Sequence, residues 1–287
     1  MRLHVVDDEV PTESIDTLRS AADARGVELV HHRAGVFVFD AANRARAGDL
    51  LFRPAVSLRA MRVEQYLFQP GVATFYQGEN GVFRGAFNSL YGFEAAGVPV
   101  PRSVYLNTTE RRALDFYVEQ LGGYPVVLKV LGNSSGIGVM RLDSAASLYS
   151  VVDYVTASSP LPVLSAYVDD AEHWRCVVVG GRVVASYLNP REASDFRTYG
   201  SSDPEDVRAG ADEDLAEVAC LAVAATGVEF GGVDVLRHES GRCYVLESNF
   251  PCYYAHAQTV GGVDVTGAML DHLIAKAEAL AAARTTA

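Results

Sequence analysis

The segment that most constrains this chain is 231–249, which reads GGVDVLRHESGRCYVLESN. Residues 233–238 and 242–248 are two runs rich in β-forming side chains. Ser240-Gly241 between them predicts a two-residue turn, because glycine adopts the backbone angles that such turns require. The segment is therefore interpreted as a β-hairpin whose register can be counted from its turn.

That register predicts an acidic face on the hairpin. Counting back from the turn places Asp234 opposite Glu247, with Cβ atoms about 5 Å apart. Asn249 lies on the same face because side chains alternate along a strand. Two facing carboxylates repel unless a cation lies between them, and Mg²⁺ commonly binds one or two carboxylates together with substrate phosphates. An ordinary solvent-exposed acidic face is the alternative, and the hairpin alone leaves both open.

Composition and charge exclude several classes of protein. The chain has 287 residues and a formal net charge of −12, which argues against nucleic acid as a partner because that binding relies on basic patches. No apolar run reaches the ~18 residues that span a bilayer, so no membrane segment is expected. The four cysteines lack Cys-x-x-Cys spacing and favour free thiols of a cytoplasmic protein.

The order of predicted elements divides the chain. Residues 1 to about 80 alternate strand and helix patterns, which predicts a parallel sheet. Val98-Pro-Val-Pro101 is a stiff connector and marks a boundary. We therefore expect an N-terminal α/β domain at 1–97, a subdomain with the glycine-rich loop at 98–168, and a C-terminal subdomain with the acidic hairpin at 169–287.

Lys129, one of only two lysines, lies in an apolar run where an ammonium group is costly unless it reaches an anion. Residues 132–138, GNSSGIG, follow directly, and a glycine-rich turn lets backbone N–H groups approach phosphate oxygens. A lysine that extends to the surface beside a flexible hairpin tip is the alternative. The combination favours nucleotide phosphates, although the loop does not have the P-loop spacing.

The order of these motifs resembles the ATP-grasp superfamily, and most of all its RimK-like branch of carboxylate–amine ligases. The resemblance runs from about residue 84 to residue 277, and it implies an α+β ATP-grasp fold preceded by a small Rossmann-like α/β domain. The motifs that carry it are PVVLKVxGxSxGIGV at 125–139, RCVVVG at 175–180, DFR at 195–197, GVDVL at 232–236, ESN at 247–249 and GVDV at 262–265.

The resemblance implies how ATP is bound. Lys129 would hold the α- and β-phosphates, the glycine-rich loop would close over them, and the strand end before Asp169 would meet adenine. Asp170, or alternatively Asp169 or Glu172, would accept the ribose hydroxyls. Arg84 is the nearest cation to Ala86, where the family usually has a second lysine. The residues assigned to ATP are Lys129, Ser134, Ser135, Gly136, Ile137, Tyr167, Val168, Asp170 and Arg84.

The resemblance also implies the metal ligands and the catalytic cations. Asp234, Glu247 and Asn249 would hold two Mg²⁺ ions, with Mn²⁺ as an alternative. These ions would bridge phosphates and stabilise phosphoryl transfer. Arg175 and Arg191 would neutralise the γ-phosphate, and Arg197 is assigned to the catalytic group with them.

Two loops, 194–210 and 250–258, depart from the family pattern beside the expected acceptor pocket, and Ala166 stands where the family often has an acidic residue. The substrate therefore does not carry over from the ribosomal-protein ligases. We expect an ATP-dependent ligase that joins a carboxylate to an amine through an acyl phosphate, on a small amino-acid-like substrate. A cyclo-ligase that forms D-cycloserine from an O-ureido-serine and a non-catalytic nucleotide-binding module are the alternatives, and assembly into a homo-oligomer is left open.

Overall fold

A computed structural model describes residues 1–86, 89–130, 136–157, 162–191 and 195–285. Within these ranges the helices are α1 (Thr12–Asp23), α2 (Leu58–Leu67), α3 (Gly81–Arg84), α4 (Leu90–Ala95), α5 (Arg111–Leu121), α6 (Ala145–Ala157), α7 (Glu213–Ala225), α8 (Ala255–Thr259) and α9 (Val265–Thr285). The strands form three sheets.

The N-terminal sheet contains β1 (Arg2–Asp7), β2 (Glu28–Arg33) and β3 (Leu50–Phe52) in the order β2-β1-β3. Both pairings are parallel, as the alternation of strand and helix patterns predicts. Residues 36–39, which also have a strand-like composition, do not join this sheet; Val36 is instead the last residue of a short 3-10 helix, Ala34–Val36.

A four-stranded antiparallel sheet follows, with β4 (Ser103–Tyr105), β5 (Val126–Lys129), β6 (Val139–Leu142) and β7 (Val163–Ala166) in the order β4-β7-β5-β6. Helices α5 and α6 supply apolar side chains to the same core as this sheet. Lys129 is the last residue of β5, so its side chain lies where the chain enters the glycine-rich segment.

The largest sheet is antiparallel, with β8 (Ala171–Val179), β9 (Arg182–Leu188), β10 (Val207–Ala209), β11 (Phe230–His238) and β12 (Cys243–Asn249) in the order β10-β9-β8-β11-β12. Side chains alternate between its faces. Cys176 and Val178 pack with residues of α7, whereas Val177 and Val179 pack with residues of α9.

The β11–β12 hairpin has the predicted pairing of Asp234 with Glu247, but its turn is not the predicted one. The backbone N–H of His238 donates to the carbonyl of Arg242 at 2.9 Å, so three residues form the loop, the last being Gly241 with φ of +82°. A β-bulge between Asp234 and Val235 then places Leu246 as an extra residue on β12. Each deviation shifts the register by one residue, and the two cancel.

The buried apolar side chains form three clusters. One lies entirely within 106–164 and belongs to the four-stranded sheet. The other two each combine residues of the N-terminal sheet region with residues of the five-stranded sheet and its helices. No helix in the described ranges is long and apolar enough to cross a membrane.

Candidate active site

The acidic face of the hairpin meets the end of β5. Asp234 and Glu247 are direct partners across β11 and β12. Lys129 Nζ donates a hydrogen bond to Glu247 Oε2 and forms an ion pair with it, and Asn249 Nδ2 donates to Glu247 Oε1 at 2.7 Å. The structure therefore brings Lys129 and the three predicted metal ligands together, although they come from two different sheets.

Strand β8 supplies two cationic or polar partners to Asp234. Arg175, directly opposite Asp234, donates from Nη1 to Oδ2 at 2.6 Å. His173 Nε2 lies 3.2 Å from Oδ1 of the same carboxylate. Gly232, two residues before Asp234, leaves the room for this arrangement, because a Cβ there would lie 2.6 Å from Arg175 Nη2.

The electrostatics of the cluster keep Asp234 ionised. Burial alone would raise the pKa of this carboxyl, but the charge of Arg175 and the hydrogen bond from His173 hold the pKa well below its ordinary value. Burial opposes the charge on Arg175, and the neighbouring Asp234 carboxylate raises the pKa of that guanidinium above its ordinary value. An ionised carboxylate is the form that a metal ion requires.

The glycine-rich segment is described only in part, since Ser134 and Ser135 lie outside the described residues. Gly136 has φ of +72°, a conformation that L side chains rarely adopt, and Ile137 is 65% exposed. Arg197 Nη1 donates to the carbonyl oxygen of Gly136 at 3.4 Å and also pairs with Asp195 at 2.8 Å. Arg197 therefore contacts the glycine-rich segment.

The residues assigned to adenine and ribose follow the end of β7. Arg141 and Arg191 lie over the ring of Tyr167, with guanidinium carbons 4.6 Å and 5.9 Å from its centre. Asp170 has a positive φ of 45°, and its carbonyl accepts from the Glu239 N–H. An open cleft of about 560 Å³ lies here, lined by Asp170, Ala171, Glu172, Arg191, Arg237, His238, Glu239 and Gly241.

Arg84 makes no side-chain hydrogen bond or ion pair with Lys129, Glu247 or Asp234 in the part of the chain that the structure describes. It is the last residue of α3. Val168 follows Tyr167 in the segment between β7 and β8.

Several side chains of the cluster were not identified from the sequence. His173 is one, and its second ring nitrogen is hydrogen-bonded to the hydroxyl of Thr198. Tyr187 and Cys252 lie beside Arg175, and burial raises the pKa of each to about 12. The period of two along β8, which puts His173 on the face of Arg175, is a signal that could have found His173.

The donor set fits magnesium. In the part of the chain that the structure describes, no three His, Cys, Asp or Glu side chains converge as a zinc-type centre would need. Asp234, Glu247 and Asn249 instead offer oxygen donors from paired strands. Mg²⁺ typically takes one or two carboxylates and completes its octahedral shell with water and phosphate oxygens.

The antiparallel sheets, with a lysine at a strand end facing acids on a hairpin, define an ATP-grasp fold. The RimK-like ATP-grasp domain model matches residues 87–273, and the chain belongs to that family. A probable alpha-L-glutamate ligase 2 of Pseudoalteromonas atlantica is 27% identical over 199 residues, which are 68% of this chain and 64% of that protein. The chain thus spans somewhat less than two thirds of that relative's length.

Two solved structures have the same fold over almost the whole chain. The D-cycloserine synthetase DcsG gives a TM-score of 0.72 at 18% identity, covering 98% of this chain and 100% of that one. The ATP-grasp ligase PsnB, complexed with a minimal precursor, gives a TM-score of 0.71 at 17% identity, covering 95% and 99%. At these identities the likeness establishes the fold.

Proposed function

We propose that this protein is an ATP-dependent ligase that joins a carboxylate to an amine on a small amino-acid-like substrate. One observation carries the proposal: Asp234 and Glu247 are partners across the hairpin, with Arg175 bonded to one and Lys129 to the other. Two acids that share a site with two cations suit a polyphosphate and its metal, because both signs of charge are then neutralised.

Each group has a role in that reaction. Lys129, with the loop that contains Ser134, Ser135, Gly136 and Ile137, would hold the phosphates of ATP. Asp234, Glu247 and Asn249 would hold Mg²⁺, as two ions, with Mn²⁺ as an alternative. The metal would supply charge neutralisation at the phosphates and align them for in-line transfer. Arg175, which is hydrogen-bonded to Asp234, would neutralise the charge of the γ-phosphate together with Arg191 and Arg197.

The remaining assignments concern the nucleoside. The backbone at Tyr167 and Val168 would meet adenine, and Asp170 at the edge of the 560 Å³ cleft would accept ribose hydroxyls. Arg84 is proposed as a further phosphate partner, as the resemblance of the sequence implies.

The chemistry proceeds in two steps. An oxygen of the substrate carboxylate forms a bond to the γ-phosphorus of ATP as the bond to the ADP oxygen breaks, which gives an acyl phosphate and ADP. The amine nitrogen then bonds to the acyl carbon, inorganic phosphate leaves, and the amine releases a proton. The protein contributes positioning and charge neutralisation.

The names of relatives support an amino-acid-like substrate. The curated relatives are probable alpha-L-glutamate ligases, and one structural neighbour is a D-cycloserine synthetase. Intramolecular ring closure of a ureido-amino acid is the second candidate. The likeness of the fold to DcsG over 98% of this chain supports retaining this second candidate. A nucleotide-binding module without turnover is the third.

We also propose a cytoplasmic location. The cysteines Cys176, Cys220, Cys243 and Cys252 are all unpaired. Burial raises the pKa of Cys176 and of Cys252 to about 12, so both are neutral thiols at physiological pH. Unpaired thiols suit a reducing compartment.

The test is ADP release with Mg²⁺ and a panel of amino acids, amino-acid amides and ureido-amino acids, with product masses measured. Stimulation by a carboxylate–amine pair with loss of one water supports ligation, and ADP formation from a single ureido substrate supports ring closure. Glu247→Gln is the matched variant, because it keeps the side-chain shape and removes the charge. Nucleotide binding without turnover on any substrate contradicts the proposal.

A further inference from the structure

We propose that His173 is a positioning residue that ties the acceptor loop, defined here as residues 195–201, to the Asp234 carboxylate. The inference rests on the proposed function, because it gives the loop its role at the acceptor side of the same site. It assigns a task to a residue that no motif of the sequence singles out.

The imidazole of His173 bridges two groups that are distant in sequence. Nε2 lies 3.2 Å from Asp234 Oδ1, and Nδ1 is hydrogen-bonded to Thr198 Oγ1. The side chain is only 14% exposed. One neutral tautomer satisfies both contacts, since Nε2–H donates to the carboxylate and Nδ1 accepts from the threonine hydroxyl.

The bridge also fixes Asp234 itself. His173 contacts Oδ1, while Arg175 Nη1 donates to Oδ2 at 2.6 Å. With both oxygens engaged from β8, the carboxylate has one orientation. A carboxylate held in this way is preorganised for a metal, as partners of metal ligands commonly provide.

The acceptor loop has few other anchors. Thr198 pairs with Arg191 in an isolated β-bridge, and Arg197 reaches the carbonyl of Gly136 at 3.4 Å. Gly200 packs against His256, whose Cε1 would lie 3.3 Å from a Cβ at that glycine. The loop therefore spans from the glycine-rich segment to α8, and the Thr198–His173 contact is its link to the metal carboxylate.

We expect the backbone of residues 195–201 to be ordered by the contact between Thr198 and His173, which in turn contacts Asp234. If His173 is removed, the Thr198 hydroxyl loses its imidazole partner. The loop is then held by the bridge to Arg191, by Arg197 and by the hydrogen bond from the Ser201 N–H to the Leu188 carbonyl at 3.5 Å. We expect His173→Ala and Thr198→Val each to raise the KM for the acceptor about fivefold or more, the loss that one hydrogen bond accounts for. Thr198→Val leaves Asp234 untouched, so its ATP affinity should remain that of the wild type.

Amide hydrogen exchange of residues 195–201 in the nucleotide-free protein gives a readout independent of activity. Both variants should exchange at least about fivefold faster there, and His173→Gln, whose amide offers a donor and an acceptor, should restore part of the protection. The matched control is His31→Ala, which removes another histidine–aspartate contact of 3.2 Å, to Asp7, in the N-terminal sheet.

Wild-type loop exchange in both His173→Ala and Thr198→Val would overturn the inference, even if ligase activity is found. Absence of turnover in the wild-type protein would instead contradict the proposed function, while the exchange of the loop would still decide the role of His173. If His173→Ala does not fold, Thr198→Val decides the matter alone.

Discussion

At the scale of single residues, the site is built from two cation–carboxylate pairs. Lys129 bonds to Glu247 and Arg175 bonds to Asp234, while Asn249 donates to Glu247. The Lys129 side chain is 33% exposed, but that of Arg175 is only 12% exposed. We therefore expect Lys129 to exchange its carboxylate for a phosphate oxygen more readily than Arg175 does.

Lys129→Ala should weaken nucleotide binding. A hydrogen bond to a charged group contributes about 1.5–3 kcal/mol, which corresponds to a rise in Kd of about 10- to 100-fold. Titration calorimetry with a non-hydrolysable ATP analogue measures it. Lys276→Ala is the control, because Lys276, which lies on α9, forms another lysine–carboxylate pair with Glu229. Equal affinities for Lys129→Ala and the wild type would rule out a phosphate role.

Gly232→Ala should lower the rate of ADP formation while leaving the fold intact. The new methyl group would overlap the guanidinium of Arg175 and displace it from Asp234. We expect a fall in kcat of about tenfold or more with little change in melting temperature.

Gly231→Ala is the comparison for that variant. Its Cβ would approach Val223 and the carbonyl of Asn249 at 3.1 and 3.2 Å, so it tests crowding that does not involve Arg175. A wild-type kcat in Gly232→Ala would show that the Arg175–Asp234 geometry does not matter for turnover.

At the scale of elements, the pairing of Asp234 with Glu247 could be predicted from the sequence, but the turn and the bulge that produce this pairing could not. The sequence count assumes a two-residue turn, whereas the loop has three residues and a bulge at Leu246 restores the register. The prediction is correct because the bulge keeps the charged Glu247 off the core face. Without the bulge, Glu247 would lie opposite the buried Val233.

The His173–Thr198 contact could not have been predicted in the same way. The two residues are 25 positions apart, and the segment between them includes a loop whose path no periodic pattern determines. The partner of Asp234 on β8 depends on the strand order β8-β11-β12, which follows from tertiary packing. Local hairpins are therefore readable from the sequence, but contacts between non-adjacent elements require the structure.

Strand β2 carries a pH-dependent contribution to stability. His32 is buried against His4, with Nε2 2.9 Å from His4 Nδ1. Burial, with a further effect from His4, lowers the pKa of His32 to about 4. The unfolded chain, with a histidine pKa of about 6.5, binds more protons between these values, so the free energy of unfolding falls as pH decreases through this window.

His32→Gln should remove part of that dependence. Between pH 6.5 and pH 4, the free energy of unfolding of the wild type should fall by more than that of the variant. The difference should be on the order of 3 kcal/mol at most, since one pKa unit corresponds to about 1.4 kcal/mol. Urea unfolding at several pH values measures it. The same slope in both proteins over this window would contradict the assignment.

At the scale of the whole molecule, the division of the chain into three units stays a prediction. The three clusters of buried apolar side chains suggest how it can be tested. The cluster within 106–164 contains no residue of the other two sheets. The N-terminal region and the region after 169 share both remaining clusters, and Val98, at the predicted boundary, packs in one of them. We therefore expect the unit 98–168 to open on its own, with 1–97 and 169–287 opening together.

Leu128→Ala tests this division. Leu128 is fully buried in the four-stranded sheet, and its loss should cost about 3 kcal/mol. Hydrogen exchange should accelerate in β5 and β7 and stay unchanged in β8 and β11. Leu270→Ala, in the core beneath α9, should do the reverse. Equal acceleration of all three sheets in both variants would mean one cooperative unit.

The most direct test of the central claim is a crystal structure with ADP and Mn²⁺, with the metal located by its anomalous signal. We predict a metal peak about 2.1 Å from carboxylate oxygens of Asp234 and Glu247, with Lys129 Nζ bonded to a phosphate oxygen. A nucleotide bound with its metal away from both carboxylates, or with Lys129 still paired to Glu247 and no phosphate near it, would contradict the account.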